Sequence, residues 1–354
     1  MGQNHTTEIQ NEQLELEIED IIPDITLMAF YLTVGIVGNA AVIFIYRDSG
    51  QHKPKSYKQF IFILAVVDLI SCILNCILNI MLVIGTSFLE NMVVCKTMRF
   101  LCHVIAVTSA FILFVIAFQR YLFVCKPFKS QMTPCIRKFS IIMCGMLSTA
   151  LSSPVLVFYG TSETKYTKIS SCEVMDSYVR SKELLAYNII FILVTIIVIT
   201  GISLMYFAIL RTIKVKQVPG NGVKFSRSNT STDNITMTVD INHSMLSLNN
   251  RLYMYASTSF LSTRKTHLSF RQHMLTLMFI TVTIFCIVSS APRRIIEFEE
   301  VFDKSAAKER LGGHDFLYRF LYTLYILNNV VNPYIYGLFD RDLRNKLKRI
   351  CKRQ

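Results

Sequence analysis

The sequence predicts an all-α membrane protein: a seven-transmembrane helix bundle followed by a short C-terminal amphipathic helix. Three observations predict it. Apolar stretches of membrane-spanning length recur along the 354 residues, which are 52% hydrophobic with a mean hydropathy of +0.42. Basic residues gather in alternate connections between the stretches. Asp68 is the only formally charged side chain inside any stretch. The stretches are Ile25–Tyr46, Gln59–Ile84, Leu101–Phe118, Phe139–Tyr159, Leu184–Leu210, Met274–Pro292 and Phe320–Phe339. Each is near the roughly 20 residues that cross a bilayer as a helix. Hydrocarbon offers peptide groups no partner, so an open chain with this pattern must be helical. A carboxylate there costs at least ~2.5 kcal/mol, which marks Asp68 as a candidate functional residue.

The order of charges sets the expected orientation. The formal net charge of +13 invites a nucleic-acid reading, but its distribution excludes one. Residues 1–24 hold seven acids and no Lys or Arg, whereas basic residues cluster in Arg47–Lys58, Arg120–Lys138, Arg211–Arg271 and the tail after Phe339. That is the positive-inside pattern, with the N-terminus outside and the C-terminus in the cytosol of a multi-pass plasma-membrane protein. The acidic start shows no cleavable signal peptide, so the first span is expected to act as an uncleaved signal anchor. Three units follow: an extracellular acidic tail (1–24), the spanning domain (25–339) and a cytoplasmic amphipathic tail (340–354). Of the sequons, Asn4-His5-Thr6 falls outside and is a glycosylation candidate; those at Asn229, Asn234 and Asn242 fall inside.

The third inner loop, Lys214–Arg271, is rich in Ser and Thr and poor in large apolar residues, so it reads as a mostly disordered segment. Basic residues near Ser226, Ser228 and Thr266 fit kinase regulation as well as they fit a solvated linker. No internal repeat is visible. After Phe339, Leu343, Leu347 and Ile350 recur at helical spacing among basic residues, the pattern of a surface helix on anionic lipid. Cys351 beside it is a palmitoylation candidate. Cys72 and Cys76 share a helix face without a nearby His or acid pair, which argues against a metal site.

Asn39 in the first span, Leu64-Ala65-Val66-Val67-Asp68 in the second, Gln119-Arg120-Tyr121 ending the third and Asn332-Pro333-Tyr334-Ile335-Tyr336 in the seventh resemble the motifs of rhodopsin-like (class A) G-protein-coupled receptors. The resemblance covers roughly residues 25 to 354. It implies a Cys95–Cys172 disulfide on the outer side. It also implies a hydrated pocket of Asp68, Ser109, Asn328, Asn329 and Asn332 holding an allosteric sodium ion, with no other cofactor. Oxygen ligands suit such a hard cation. The alternative is a protonated Asp68 hydrogen-bonded between helices. Arg120 and Tyr121 resemble the transducer contact, and Tyr206 with Tyr336 a tyrosine pair that closes inward on activation. Simple snorkelling of Arg120 to the interface is the alternative for that residue. Pro333 breaks the hydrogen-bond ladder of the last span, and Asn332 is expected to offer its amide to the freed carbonyls.

The chain departs from that pattern in several places. It contains no Trp; Ser290 stands two residues before Pro292 where one is usual, and Cys144 or Gly145 occupies the corresponding site of the fourth span. Val198 replaces a usual proline. Gln119 stands in place of the acid that pairs with Arg120, and Gln272 at the base of the sixth span where another acid can stand. Losing charge-assisted bonds of ~1–3 kcal/mol predicts elevated basal signalling.

Cys102 stands where amine receptors of this class carry an aspartate, and Ile326 where opsins carry a lysine, which argues against both ligand types. With Ser290, Arg293 and Arg294, Cys102 belongs to the candidate ligand-binding set. The two arginines fit a carboxylate anchor; Glu297, Glu299 and Glu300 are close enough in sequence to pair with them instead. The acidic tail suits steering of a basic peptide, and a peptide is the preferred ligand, ahead of an anionic lipid or small acid. The expected function is therefore transduction of an extracellular ligand to a heterotrimeric G protein, with arrestin and kinases as further partners. An atypical seven-helix receptor without G-protein coupling is the alternative. No nucleophile–base pair or metal-ligand set points to an enzyme.

Overall fold

A helix that stays apolar for about six turns satisfies every peptide group internally, and the chain forms such helices where its hydropathy is sustained. The computed structural model describes residues 2–47, 56–84, 91–129, 131–163, 170–217, 273–303 and 315–352. In chain order the helices are α1 (Gly2–Arg47), α2 (Ser56–Ile84), α3 (Met92–Cys125), α4 (Pro134–Ser152), the one-turn α5 (Val155–Phe158), α6 (Lys182–Gln217), α7 (His273–Glu299), α8 (Asp315–Thr323), α9 (Ile326–Phe339) and α10 (Arg341–Cys351). Among the described residues six segments are long and apolar enough to cross a membrane: Ile21–Arg47, Lys58–Ile84, Met92–Cys125, Pro134–Phe158, Lys182–Lys214 and His273–Glu299. Helix α1 also continues through the acidic segment expected as a tail, with Pro23 inside it. The sequons at 229, 234 and 242, the hydroxyls of the inner loop and Gln272 lie outside the described residues, as do the side chains of Asn4 and Cys351.

Local signals set several helix ends. Asn91 caps α3 by accepting from the Val93 amide at 2.9 Å. Thr133 caps α4 with Pro134 in the first turn, where its missing N–H costs nothing. Strands β1 (Tyr159–Glu163) and β2 (Ser170–Val174) pair antiparallel with Thr161 opposite Cys172. Cys172 is disulfide-bonded to Cys95 near the start of α3, their Cα atoms 5.6 Å apart. This hairpin therefore covers one end of the bundle, as the resemblance implied.

Helix α3 runs through the middle, packing on α2, α4 and α6. The main apolar core lies toward its Arg120 end, where Leu64, Ile112, Ile116, Met278, Phe279 and Tyr336 are buried together. Val37, Phe44, Ile197, Val288 and Leu338 are exposed on outward faces, the distribution that lipid requires.

The seventh apolar stretch differs from expectation. It is two helices, α8 and α9, separated by a turn at Leu324–Tyr325. The turn is closed by i+3 bonds from the Leu327 amide to the Leu324 carbonyl (3.1 Å) and from the Asn328 amide to the Tyr325 carbonyl (3.2 Å). Further along, Pro333 sits inside α9 and has no N–H for the Asn329 carbonyl. The sequence reading gave the freed carbonyls to Asn332; Asn39 of α1 takes this one, donating from Nδ2 at 2.9 Å. The Asn332 amide is instead bonded to Asp68. Gly38 makes the approach possible: a Cβ there would lie 3.1 Å from the Pro333 ring.

Helix α10 folds back as its apolar spacing predicted. Leu343 is buried, Leu347 packs on the core, Lys346 Nζ donates to the Ile45 carbonyl (3.1 Å), and Lys58 pairs with Asp342 (2.9 Å).

Replacing Asn39 by Ala leaves a buried carbonyl unpaired and is expected to cost ~1–3 kcal/mol. A fall in the thermal unfolding midpoint of the detergent-solubilised chain checks this, with exposed Val37→Ala unchanged beside it.

Candidate functional site

Polar residues on one face of α2, at Asp68, Ser71, Asn75 and Asn79, are all buried, which orders everything packed against that face. Ser109 Oγ of α3 donates to Asp68 Oδ1 at 3.4 Å, and Asn332 Nδ2 of α9 donates to Oδ2 at 2.8 Å. Asn329 Nδ2 reaches Ser71 Oγ at 2.9 Å rather than the carboxylate. Among the described residues the Oδ1 atoms of Asn328 and Asn332 are buried without a hydrogen-bond partner. A carboxylate, a hydroxyl and two spare amide oxygens form a donor set that fits a hard monovalent cation.

Beyond this cluster, toward the disulfide-linked end, opens a cavity of about 500 Å³ between α3, α6, α7 and α9, lined mainly by apolar side chains. Cys102, Ser290, Arg293 and Arg294 all line it, so the structure brings the four candidate ligand residues together. Val198 lines it as well, and of the two neighbouring positions on α4 Cys144 is buried and Gly145 half-buried.

The two arginines are not open cations. Arg293 Nε donates to Glu297 Oε1 (2.6 Å) and Arg294 Nη1 to Oε2 (2.5 Å), so one carboxylate a turn further on serves two adjacent guanidiniums. Aromatic rings hold their other faces. Arg293 lies over Tyr325 (4.1 Å to the centroid) and Tyr322 (4.9 Å), and Arg294 over Phe191 (4.4 Å). The ion-pair alternative is thus realised, while both arginines still form part of the cavity wall.

A second cavity of about 330 Å³ lies on the far side of Tyr322, walled by Arg99, Asp24, Arg319, Tyr159 and Tyr318. Sequence reading missed Arg99. Its guanidinium donates to the Cys172 carbonyl (2.7 Å) and to the Tyr322 hydroxyl (3.3 Å), tying α3 to the hairpin and α8. Arg319 pairs with Asp24, linking α8 to α1. Glu300, just past α7, accepts from Tyr318, and burial pushes its carboxyl up to about 7.

At the opposite end Arg120 is buried, which excludes snorkelling, and stacks over Phe279 at 5.0 Å. Gln119 is buried beside it, and Tyr121 packs on the core with Lys126 over its ring at 5.7 Å. Tyr206 and Tyr336 are buried in one apolar cluster with Ile112 and Phe279. Among the described residues, no group of three His, Cys, Asp or Glu could hold a metal ion.

Two outcomes follow from the outer charges. Glu297→Ala strands two mostly buried guanidiniums and is expected to cost about 3 kcal/mol or more, seen as a lowered unfolding midpoint. Glu300 binds its proton more tightly in the folded chain. Its contribution is complete below about 4.5 and is lost as pH rises through about 7. The unfolding midpoint is expected to fall across that window, and Glu300→Gln to flatten the fall.

The sequence matches the family described as "7 transmembrane receptor (rhodopsin family)" over residues 38–336. Similar proteins include the tachykinin-like peptides receptor 86C of Drosophila melanogaster, 25% identical over 175 residues, which is 48% of this chain and 34% of that one. The galanin receptor 2a of Danio rerio is 29% identical over 145 residues, 40% of each chain. The thyrotropin-releasing hormone receptor of Gallus gallus is 22% identical over 355 aligned residues, 99% of this chain and 83% of that receptor. The first two alignments thus span 34% and 40% of those relatives. With a family match covering most of its length and a helical architecture to suit it, the chain belongs to the rhodopsin family of seven-transmembrane receptors.

Proposed function

We propose that this chain is a G-protein-coupled receptor that transduces an extracellular peptide to a cytosolic heterotrimeric G protein. It sits in the plasma membrane with its N-terminus outside and its C-terminus in the cytosol. The observation that carries the reading is the 500 Å³ cavity at the disulfide-linked end, separated from Arg120 by the Asp68 cluster. A ligand that fits the cavity better in one arrangement of α7 and α9 shifts the balance of two states without crossing the membrane. The relatives' names support the ligand class, since they are receptors for tachykinin-like peptides, galanin and thyrotropin-releasing hormone.

In this reading Cys102, Ser290, Arg293 and Arg294 form the ligand wall. Tyr206, Pro333 and Tyr336 belong to the moving core, and Arg120 with Tyr121 meets the G protein. Asp68, Ser109, Asn328 and Asn332 hold a sodium ion, with Asn329 behind them through Ser71. The bound cation neutralises the buried carboxylate and holds α2, α3 and α9 together in the resting state. The inner loop and tail receive kinases and arrestin, Asn4 carries a glycan, and Cys351 beside the bilayer carries a palmitoyl chain.

The test is ligand-free activation of a panel of G proteins in cells displaying the chain at the surface, with Arg120→Ala as the floor. A basal signal abolished by Arg120→Ala identifies the transducer. Gln119→Glu, which restores a carboxylate beside Arg120, is expected to lower that signal roughly tenfold. If every G protein stays silent in wild-type cells, the high-basal reading is wrong; a signal that survives Arg120→Ala contradicts the assigned contact.

A further inference from the structure

On α7 the large cavity is lined by the short side chains of Thr283, Cys286 and Ser290 together with Ile287, none of which carries a directed bond onward to α2 or α9 among those described. The opposite wall offers a different route. Tyr325 lines the cavity and is buried, and its ring carries the Arg293 guanidinium on the ligand side. Its hydroxyl leaves the cavity and donates to Asn75 Oδ1 of α2. Asn75 Nδ2 in turn donates to the Ser71 carbonyl (2.8 Å) and Oγ (3.2 Å). Ser71 Oγ also accepts from Asn329 Nδ2 (2.9 Å), and the Asn329 carbonyl is the one Pro333 leaves free and Asn39 occupies. One helical turn from Asn329, Asn332 donates to Asp68.

We propose that Tyr325 and Asn75 are positioning residues of this receptor, whose hydrogen-bonded chain carries occupancy of the cavity to the Pro333 kink and the Asp68 carboxylate. The proposal rests on the receptor reading above. Three physical features support it. First, Asn75, Ser71, Asn329 and Asn39 are all buried, so displacing Tyr325 costs the Asn75 acceptor its hydrogen bond, and rearranging the next member relieves that cost. Second, Tyr325 occupies the turn between α8 and α9, where the backbone can rotate without breaking a continuous ladder of i+4 bonds. Third, the chain ends on the α9 carbonyl that Pro333 leaves free and that Asn39 of α1 bonds instead. A small tilt of the Tyr325 ring, driven by a ligand group competing for Arg293, therefore has a defined destination.

Hydrogen–deuterium exchange of the purified full-length chain, without ligand or G protein, tests this. Tyr325→Phe removes a single oxygen and keeps the ring packing; Asn75→Ala removes the next link. Each is expected to speed exchange in residues 330–339 by about two- to tenfold, the effect of losing one buried hydrogen bond. The double variant should exchange no faster than the faster single, because both break the same chain. Tyr322→Phe, an adjacent tyrosine under the same arginine but outside the chain, should leave 330–339 unchanged, as should exchange in α4 for every variant. Unchanged exchange in Tyr325→Phe overturns the proposal, and so do additive single effects or an equal response from Tyr322→Phe. Tyr325→Phe decides alone if Asn75→Ala fails to fold. Because neither ligand nor transducer enters the measurement, a chain that never signals and a chain without this coupling give separate results.

Discussion

Pro333 withholds one peptide hydrogen in the interior of α9, and the arrangement of four helices answers that omission. The Asn329 carbonyl needs a donor, since an unpaired buried acceptor is costly. Asn39 reaches it from α1, with Gly38 packed close against the proline ring. Asn332, one residue before the proline, is held by Asp68 of α2, and Asp68 is also bonded by Ser109 of α3. Helices α1, α2, α3 and α9 are thus fixed to one another by polar groups that cannot be satisfied separately. Apolar packing around Ile112, Ile116 and Phe279 supplies bulk cohesion, but it is non-directional and would tolerate slippage. The polar junction specifies one register, and any second register must rehouse each of its members.

Two tiers with different physics sit on this junction. Toward the disulfide-linked end the charges are already matched: Glu297 is shared between Arg293 and Arg294, Arg319 takes Asp24, and Arg99 spends its donors on the Cys172 carbonyl and Tyr322. A ligand meets a wall of satisfied ions stacked on aromatic rings, so recognition proceeds by exchange of partners rather than by capture of a bare charge. Toward the Arg120 end the core is apolar, with Tyr206 and Tyr336 buried among Ile112, Ile116 and Phe279.

Much of this was legible in the sequence because it depends on local chemistry. Hydropathy gave six spans directly, the apolar spacing after Phe339 gave α10, and the solitude of Asp68 marked the centre of the junction. The resemblance supplied the Cys95–Cys172 pair and the grouping of Ser109 and Asn332 with Asp68. Elsewhere the reading fell short for identifiable reasons. Composition cannot reveal a break at Leu324–Tyr325, because no Gly or Pro marks it. Asn39 and Asn329 are 290 residues apart, and nothing in either neighbourhood announces the other. Arg99 lay between two signals already in use, Cys95 and Cys102, and drew no reading of its own. The signal that was present and underused is the α2 face: Asp68, Ser71, Asn75 and Asn79 recur every three or four residues, a polar stripe that must be paired across the bundle.

The proposed sodium site requires Asp68 to be kept as a carboxylate for a bound cation rather than as a neutral hydrogen-bonding group. The direct measurement is the thermal unfolding midpoint of the purified chain in sodium chloride and in choline chloride at equal ionic strength, for the wild type and for Asp68→Asn. A midpoint raised by sodium in the wild type, with no difference between the two salts in Asp68→Asn, is the predicted result. A wild type indifferent to sodium, or a variant that responds as the wild type does, would contradict the account.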